Sequence, residues 1–334
     1  MIRTEWNKDF SVLLSKTYLE LYQSLPTHLK NYFNHPKFSF ECLKVFNKVE
    51  PCFLFSVFKE NKLIGYATFR KTKLMLRGIK IACLVPGGFK IAEYNMPVIS
   101  PGNYREFFNG LDTGTSGQSF FYHNCSGFYT EWFRKEVKNS FIYSITSNPI
   151  IKDIGNAIFK ASQKKDGVRY YKVLKKETNF EVQHYTANIT EELLNEFFSL
   201  HIKRWESEGI NSKFKDEVYK NIYRALVQLS ITEYGVPVLN CMKSDDKYLA
   251  MHFGFIINNS FLYQIPAFNI NQKSSGTVLL KSIFDYMVEK KLSIFDMGYG
   301  LEDYKFRYMN DIVNYFTVVR FSNSILNSFY KIRI

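Results

Sequence analysis

The chain has 334 residues, of which 46% are apolar and 17% aromatic, and its formal net charge is +13. This length allows two domains that each bury a core, and the apolar content excludes a disordered protein. The basic residues are scattered, and their longest runs are doublets such as Lys164-Lys165, with no arginine-rich arm and no zinc-finger spacing. The charge therefore favours small anionic ligands over nucleic acid, and it also suits peripheral contact with the inner face of a membrane.

Cysteine usage and the lack of long apolar runs indicate where the protein works. The five cysteines occur singly, mostly among apolar residues, which is typical of reduced thiols in a cytoplasmic protein. The N-terminal segment has no apolar core of signal-peptide length, and no apolar run approaches twenty residues. We therefore predict a cytoplasmic protein without a membrane span. No HExxH motif and no Cys/His cluster is visible, so we predict no metal.

The first half of the chain reads as helices and a strand meander. In chain order, the pattern predicts a helix over 10–29 with a stop at 34–36, strands over 52–58, 63–74 and 79–85, and a short helix over 103–111. It then predicts strands over 119–123 and 141–146 around a helix over 129–137, a helix over 149–162 and a strand over 168–174. The second half, from residue 180, reads as the order β-α-α-β-β-β-α-β-α-β.

One stretch of the second half has the layout of an anion-binding site. An apolar strand over 261–268 leads into a polar loop, Gly276 and an amphipathic helix; a short strand over 293–297, Gly298, Gly300 and a charged helix follow. Free backbone N–H groups at a helix start attract anions, although neither GxxxxGK[ST] nor GxGxxG is present. Pro266 cannot donate to a strand ladder, so we expect the strand to bulge or splay there.

Three phrases in this half carry a family resemblance. They are Ser275-Gly276 with the following helix, the pattern D-x-G-x-G-x-E-x-Y-K from Asp296 to Lys305, and the sequence LHIKRW over 200–205. Together they resemble the acetyl-CoA-dependent N-acetyltransferase (GNAT) superfamily. More narrowly, they resemble its branch found with cellulose and other surface-polysaccharide genes, which is related to the Fem aminoacyltransferases.

The resemblance implies an α/β (α+β) fold with two tandem GNAT-like domains, each a mixed, mainly antiparallel sheet flanked by helices. We place a degenerate, acceptor-side domain at 1–175 and the acyl-CoA-binding domain at 176–334. No sequence identity between the halves is visible, so the duplication rests on element order and on the resemblance.

The resemblance also implies a set of site residues. The residues expected to hold acetyl-CoA or another acyl-CoA are Ile265, Ala267, Gln272, Lys273, Ser274, Ser275, Gly276, Thr277 and Lys305. The expected catalytic residues are His201, Asp296, Glu302 and Tyr304, and the expected acceptor-binding residues are Tyr94, Asn95, Arg204, Trp205 and Tyr263. Each has a structural alternative: Ser275 as a plain helix cap, the acidic residues as ordinary first-turn residues, and His201 and Trp205 as core. His252, between Met251 and Phe253 in a strand, is interpreted as structural.

The function expected from the resemblance is transfer of an acyl group from acyl-CoA to the amine of an amino sugar, carried by a nucleotide or a lipid, in surface-polysaccharide assembly. Two alternatives stay open: a Fem-type aminoacyltransferase that uses aminoacyl-tRNA, and a non-catalytic scaffold of a polysaccharide-synthesis complex. The long helical arm of the Fem family has no counterpart in this sequence. The acyl group, the sugar and the oligomeric state cannot be read from it.

Overall fold

Long β-strands flanked by helices dominate the computed structural model, which describes residues 1–229, 235–272 and 274–331. The strands are β1 Ile2–Asn7, β2 Cys52–Lys59, β3 Lys62–Leu76, β4 Ile79–Pro86, β5 Val98–Ile99, β6 Phe120–Ser126, β7 Phe141–Lys152, β8 Glu181–Tyr185, β9 Val236–Ser244, β10 Lys247–Ile257, β11 Ser260–Phe268, β12 Ile294–Asp296 and β13 Asp311–Arg320. The helices are α1 Lys16–Gln23, α2 Pro36–Phe46, α3 Tyr104–Gly114, α4 Gly127–Glu136, α5 Ala157–Ser162, α6 Lys165–Thr178, α7 Glu191–Ser207, α8 Glu217–Val227, α9 Ser275–Glu289 and α10 Ser324–Lys331.

The chain forms two units, and the boundary between them falls inside β7 and β13. Unit 1 comprises Met1–Ser147 with Asn314–Ile334, and unit 2 comprises Asn148–Val313. The predicted boundary at residues 175 and 176 is therefore displaced. The physical reason is that α5 and α6, which precede that point, pack on α9 of unit 2.

The sheet of unit 1 has the strand order β1-β2-β3-β4-β6-β13. Its neighbours are antiparallel except β4 and β6, which are parallel through the single pair Leu84 and Phe120. An aromatic core that includes Phe55, Phe107 and Phe133 fills the space between this sheet and its helices. Burial of this apolar surface is the main stabilising contribution to the unit.

The sheet of unit 2 has the strand order β7-β12-β11-β10-β9-β8. β11 and β12 are parallel, and the other neighbours are antiparallel. α9 covers one face of this sheet because its apolar stripe, which includes Val278, Leu279 and Ile283, is buried in the core.

The two units repeat one order of elements: a strand, two helices, a three-stranded meander, a helix and a strand. The chain is thus α/β with two tandem GNAT-like domains, as predicted. Within the described ranges, none of the helices combines the length and the apolar character that crossing a membrane requires.

Several predicted elements of the first half are wrong. Residues 2–7 form β1, and the helix predicted over 10–29 is split into the 3-10 helices Phe10–Leu14 and Thr27–Leu29 with α1 between them. The predicted stop at 34–36 is instead the start of α2, because proline suits the first helical position, where its missing N–H would have no partner in any case.

Two further errors lie before residue 180. Residues 149–152 continue β7, where Ile150 pairs with Asp296, and only α5 of the predicted helix over 149–162 exists. The strand predicted over 168–174 is part of α6, whose buried positions Gly167 and Leu174 lie seven residues apart, on one helical face. The charged helix predicted after Gly300 is reduced to the single 3-10 turn Lys305–Arg307.

Candidate functional site

The strands β11 and β12 run together over a short distance and then part. Their parallel pairing covers three residue pairs, from Ser260 with Ile294 to Leu262 with Asp296. β12 ends at Asp296, whereas β11 continues to Phe268, so the second half of β11 extends beyond the end of its parallel neighbour. Pro266 lies in this second half, as expected for a residue without an N–H group. The divergence opens a slot at the edge where α9 begins.

A cavity of about 1030 Å³ lies at this slot, within unit 2. Four stretches of chain contribute most of its lining: the start of α6, the second half of β11, the loop into α9, and the segment after Gly300. Its volume is at the upper end of the range for small-molecule sites, which is about 300–1,000 Å³. The cavity can therefore take a ligand much larger than an amino acid.

The N-terminus of α9 opens into this cavity without a side-chain cap. Ser274 is the N-cap residue in a left-handed conformation, with φ of 68°, and its described side chain makes no capping hydrogen bond. Ser275 is 1% exposed, lines the cavity, and its Oγ has no hydrogen-bond partner among the described residues. A buried hydroxyl without a hydrogen-bond partner destabilises the folded protein. A ligand atom that accepts a hydrogen bond from this hydroxyl removes the penalty, and its removal strengthens binding. Helix start and hydroxyl together fit a phosphate oxygen.

Gly276 keeps the surface of this helix start open. A Cβ atom at this position would lie 3.1 Å from Cδ1 of Phe268, which itself lines the cavity. Glycine thus lets the ligand approach the first turn of α9 closely.

The charges around the cavity are unequal. Four basic residues line it, Lys164, Lys165, Arg204 and Arg307, against the two acidic residues Asp166 and Glu302. The positive end of the α9 dipole adds to this excess. The lining therefore favours an anionic ligand.

Arg204 reaches the slot from α7. Its Nη1 donates to the carbonyl oxygen of Pro266 at 3.0 Å, and its guanidinium lies 4.0 Å above the Phe268 ring. Arg204 is thus fixed on the part of β11 that extends past β12. Its Nε also lies 3.4 Å from Glu208 Oε1, so an ion pair on α7 helps to hold the guanidinium at the cavity.

Tyrosine side chains make up much of the remaining wall. Tyr170, Tyr263, Tyr304 and Tyr308 all line the cavity. Burial, with a smaller contribution from Glu302, raises the pKa of Tyr304 well above its usual value, and burial does the same for the pKa of Tyr263. Both phenols therefore stay protonated at neutral pH and can donate a hydrogen bond or a proton.

The structure brings nine of the predicted site residues to this cavity. They are Arg204, Tyr263, Gln272, Ser274, Ser275, Gly276, Thr277, Glu302 and Tyr304. Lys273 lies outside the described residues. The roles of the nine stay predictions.

His201 does not fit the role of a catalytic base. It is buried and absent from the cavity lining, its Nδ1 lies 2.8 Å from Ser212 Oγ, and its ring stacks on Trp205 at 5.4 Å. Burial, with Lys213 and Arg204, lowers the pKa of His201 to about 3. Such an imidazole takes up a proton poorly at neutral pH, so neither the placement nor the pKa of His201 supports the predicted role. Trp205 likewise packs beside His201 and does not line the cavity.

The D-x-G-x-G-x-E-x-Y-K motif divides into two sets. Lys305 is buried and donates to the carbonyl oxygens of Gly298, Tyr299 and Gly300 at 2.8–3.1 Å, and it also pairs with Glu302 at 2.8 Å. It therefore holds the loop, and its placement outside the cavity lining gives no support to the predicted donor contact.

Asp296, also buried, belongs to the same set as Lys305. Its Oδ1 accepts from the Gly298 N–H at 2.9 Å and from Asn148 Nδ2 at 3.2 Å. It does not line the cavity, so its predicted catalytic role finds no support in its placement. These two residues shape the loop that carries Glu302 and Tyr304 to the cavity.

The remaining predicted residues lie elsewhere. The side chains of Ile265 and Ala267 are buried in β11 outside the lining. Tyr94 and Asn95 belong to unit 1, where Tyr94 packs on Tyr315 at 4.9 Å and the buried Asn95 donates its backbone N–H to Asn124. Their acceptor-binding role stays a prediction.

Sequence reasoning missed the contribution of the start of α6 and of the turn after Tyr304. The missed lining residues include Lys164, Lys165, Asp166, Tyr170, Phe268, Arg307 and Tyr308. The Lys164-Lys165 doublet was the available signal, but reading 168–174 as a strand placed it in a turn. No group of His, Cys, Asp or Glu side chains in the described ranges could hold a metal ion.

Comparisons with known proteins agree with this geometry. Residues 162–306 match the family described as acetyltransferase (GNAT) domain. This range begins just before α6 and ends just after Tyr304, so it includes the cavity lining except Arg307 and Tyr308. Comparison with curated proteins gave no match.

Solved structures share the fold across nearly the whole chain. FemX superposes with a TM-score of 0.58 at 11% identity, covering 93% of this chain and 96% of its own. A C-terminal domain described as that of a lysylphosphatidylglycerol synthetase from Agrobacterium fabrum gives 0.56 at 9% identity, covering 94% of each chain. A tandem GNAT protein from the clavulanic acid pathway gives 0.54 at 8% identity, covering 97% of this chain and 99% of its own. At these identities the likeness shows the fold alone. The family match over 162–306 places a GNAT acetyltransferase domain within unit 2.

Proposed function

We propose that the protein is an acyl-CoA-dependent N-acyltransferase that acts on the amine of an amino sugar. The observation that carries the donor is the open start of α9, where Ser275 Oγ is buried without a partner beside an excess of basic residues. A diphosphate accepts hydrogen bonds from several donors at once, which suits backbone N–H groups, a hydroxyl and cations in one place.

The second half of β11 gives the donor's acyl arm a place to lie. The start of α9, Pro266, Phe268, Tyr263 and Tyr304 all line the cavity at the slot between β11 and β12. A lining that combines apolar and polar side chains suits a pantetheine arm that ends in a thioester.

Transfer requires a C–N bond to form and the C–S bond to break, while the amine loses a proton and the thiolate gains one. Tyr304 is protonated and lines the cavity, so it can donate the proton that the leaving sulfur takes up. Glu302 is the carboxylate beside it in the lining and can accept a proton from the amine, directly or through water. Holding both substrates in one cavity contributes most of the rate enhancement in such a reaction.

The acceptor class rests on the resemblance and on the lining. Arg204 offers a cation, and Tyr170, Tyr263 and Tyr308 offer aromatic faces on which a sugar ring can lie. These groups suit an amino sugar carried on a nucleotide or a lipid phosphate, in surface-polysaccharide assembly in the cytoplasm.

The experiment that tests this function is calorimetric titration of the purified protein with a panel of acyl-CoAs. Transfer assays on amino-sugar nucleotides and lipid-linked amino sugars then follow, with thiol release as the readout. We expect binding of at least one acyl-CoA and acceptor-dependent thiol release. Co-purification with tRNA and no affinity for any acyl-CoA would favour the Fem-type alternative, whereas binding of neither donor would favour a scaffold.

A further inference from the structure

A buried histidine lies directly beneath the strand that forms the slot. His252, on β10, is fully buried, and its ring stacks on the Tyr263 ring at 4.1 Å with an angle of 9° between the planes. Tyr263 in turn lines the cavity, so the imidazole is the support of a cavity wall.

The pairing of β10 with β11 is irregular at this point. Phe253 pairs with Ile265 and Phe255 pairs with Leu262, so Gly254 alone faces both Tyr263 and Gln264. This is a β-bulge in β11, and a bulge leaves one residue without its ladder hydrogen bond.

The side chain of His252 replaces that missing bond. The backbone N–H of Gln264 donates to His252 Nε2 at 3.1 Å. A Cβ atom at Gly254 would lie 2.3 Å from the Leu262 carbonyl oxygen and 2.6 Å from His252 Cε1. Glycine therefore belongs to the same arrangement, because any side chain there would displace the bulge or the imidazole.

The hydrogen bond to Gln264 determines the tautomer of His252. A backbone N–H can only donate, so Nε2 must accept and the ring proton must be on Nδ1. In the structure Asn240 Nδ2 lies 2.9 Å from His252 Nδ1, and Asn240 Oδ1 lies 2.6 Å from His184 Nδ1. Two N–H groups cannot bond to each other, so a protonated Nδ1 requires the oxygen and nitrogen of this amide to be exchanged, which leaves its shape unchanged. In the exchanged orientation Oδ1 accepts from His252 Nδ1–H and Nδ2 donates to His184 Nδ1, while the 3.4 Å contact of Nδ2 with the His252 carbonyl oxygen is lost.

A chain of hydrogen bonds thus crosses the sheet from β8 to β11. It runs from His184 through Asn240 and His252 to the Gln264 N–H, and with the Asn240 amide in the exchanged orientation every donor meets an acceptor. His184 is itself held by stacking on Tyr286 at 4.5 Å. Burial keeps the pKa of His252 well below its usual value, which agrees with a neutral ring in this chain.

We infer that His252 is a positioning residue for acyl transfer: it sets the bulge of β11 and thereby the place of Tyr263 in the cavity, and Asn240 and His184 hold its ring from the other side. The inference rests on the proposed function for its catalytic consequence, and on the hydrogen bonds alone for its geometry. A displaced bulge would shift the slot wall against the reacting groups on Glu302 and Tyr304, while the start of α9 would stay in place.

Two substitutions distinguish the contribution of Nε2 of this imidazole from that of Nδ1. His252→Gln places an acceptor near the position of Nε2 and keeps the bond to the Gln264 N–H, whereas His252→Asn keeps a polar group near Nδ1 and loses that bond. Both variants are buried amides of similar polarity. Amide hydrogen exchange at Gln264, donor affinity, kcat and thermal stability are measured for each.

We expect the Gln264 amide to exchange about tenfold faster in His252→Asn than in the wild type, and to stay protected in His252→Gln. We expect kcat to fall about 100-fold in His252→Asn, with donor affinity unchanged, and to recover largely in His252→Gln. Equal losses in both variants, tracking their stability, would show a merely structural role and overturn the inference.

A milder variant covers the case in which neither substitution at His252 gives folded protein. His184→Phe keeps the stacking on Tyr286 but removes the acceptor of the Asn240 amide, and we expect faster Gln264 exchange and lower kcat. In the wild type, nitrogen NMR of His252 is expected to show a protonated Nδ1 and a bare Nε2; the opposite tautomer would overturn the geometry. These two exchange and NMR measurements need no donor. Failure of the wild type to bind any acyl-CoA would therefore count against the proposed function. The exchange and NMR measurements test separately whether His252 holds the bulge of β11.

Discussion

The two units place a helix after a strand meander in the same order, but the starts of these two helices differ. In unit 2 the slot at the start of α9 holds about 1030 Å³. In unit 1 a cavity near the end of β4, lined by Pro86, Gly88 and Tyr122 among others, holds about 20 Å³, room for about one water molecule, and no residue of α3 lines it.

The two helix starts differ in charge. The first turn of α3 carries Glu106, whose carboxylate pairs with Lys59 at 2.7 Å, so negative charge already occupies that helix end. Neither N-cap residue makes a side-chain capping hydrogen bond, but the first turn of α9 has no acidic residue. The same order of elements thus leaves the start of α9 open to an anion. The following changes test that difference, beginning with the largest expected effect.

Placing a carboxylate at the start of α9 should close the site. We expect Gly276→Glu to lower acyl-CoA affinity by about 100-fold or more, because the charge repels phosphate and the side chain meets Phe268. Calorimetry measures the affinity. Gly127→Glu is the matched control, since Gly127 begins α4 of unit 1 and its Cβ would meet only Phe316 at 3.5 Å. Equal affinities in the two variants would place the donor elsewhere.

Removing the phenol hydroxyl of Tyr304 should slow the reaction without weakening donor binding. We expect Tyr304→Phe to lower kcat about 100-fold, since general acid catalysis contributes about 10²–10⁴-fold. Because burial raises the pKa of Tyr304, wild-type kcat should not fall through deprotonation of this group up to pH 9 or so. Tyr308→Phe, also in the lining, is the control and should retain most activity. A Tyr304→Phe enzyme with wild-type kcat would contradict the assignment.

Removing the Ser275 hydroxyl should weaken donor binding but stabilise the ligand-free protein. We expect Ser275→Ala to weaken acyl-CoA binding by about tenfold and to raise the free energy of unfolding of the ligand-free protein by about 1 kcal/mol, because the unpartnered Oγ is lost. Calorimetry and urea denaturation measure the two quantities. Ser274→Ala, which removes a side chain without a capping bond, is the control. A loss of stability in Ser275→Ala would mean that the hydroxyl has a partner in the folded protein.

The buried His201 should show itself in the pH dependence of stability. Its pKa is about 3 in the folded protein and about 6.5 unfolded, so the unfolded chain binds more protons between these values, and stability falls as pH decreases through that range. Each pH unit costs about 1.4 kcal/mol for this group. When the pH decreases from 6.5 to 5, we therefore expect the free energy of unfolding to fall by about 2 kcal/mol less in His201→Gln than in the wild type. Urea denaturation at the two pH values measures this difference. Equal losses would place the folded pKa of His201 near its ordinary value.

The second half of the chain was more predictable than the first. Its meander over 236–268 and the helix after Gly276 follow clear period-two and period-3.6 patterns, and the structure has them nearly where predicted. In the first half, residues 149–152 and 168–174 carry patterns that local reasoning misreads, because pairing with β12 and packing on α9 decide them.

The site shows the same division. Ser275, Gly276, Glu302 and Tyr304 reach the cavity from motifs that stand out in the sequence. Asp296 and Lys305 stand out equally, yet they hold the loop, because the fold buries them against backbone groups. Lys164, Arg307 and Tyr308 have no motif, and their contribution depends on elements that are distant in sequence.

The sequence by itself determined the order of elements from β8 to α9, the resemblance to GNAT domains and the helix start at which we place the anion, since these depend on local periodicity and on residues close together in the chain. The tertiary structure decided which polar side chains line the cavity and which make hydrogen bonds that hold the surrounding backbone in place. His201 and His252 illustrate the reason: burial and hydrogen-bond partners determine what an imidazole can do, and both are set by residues that come from other strands and helices.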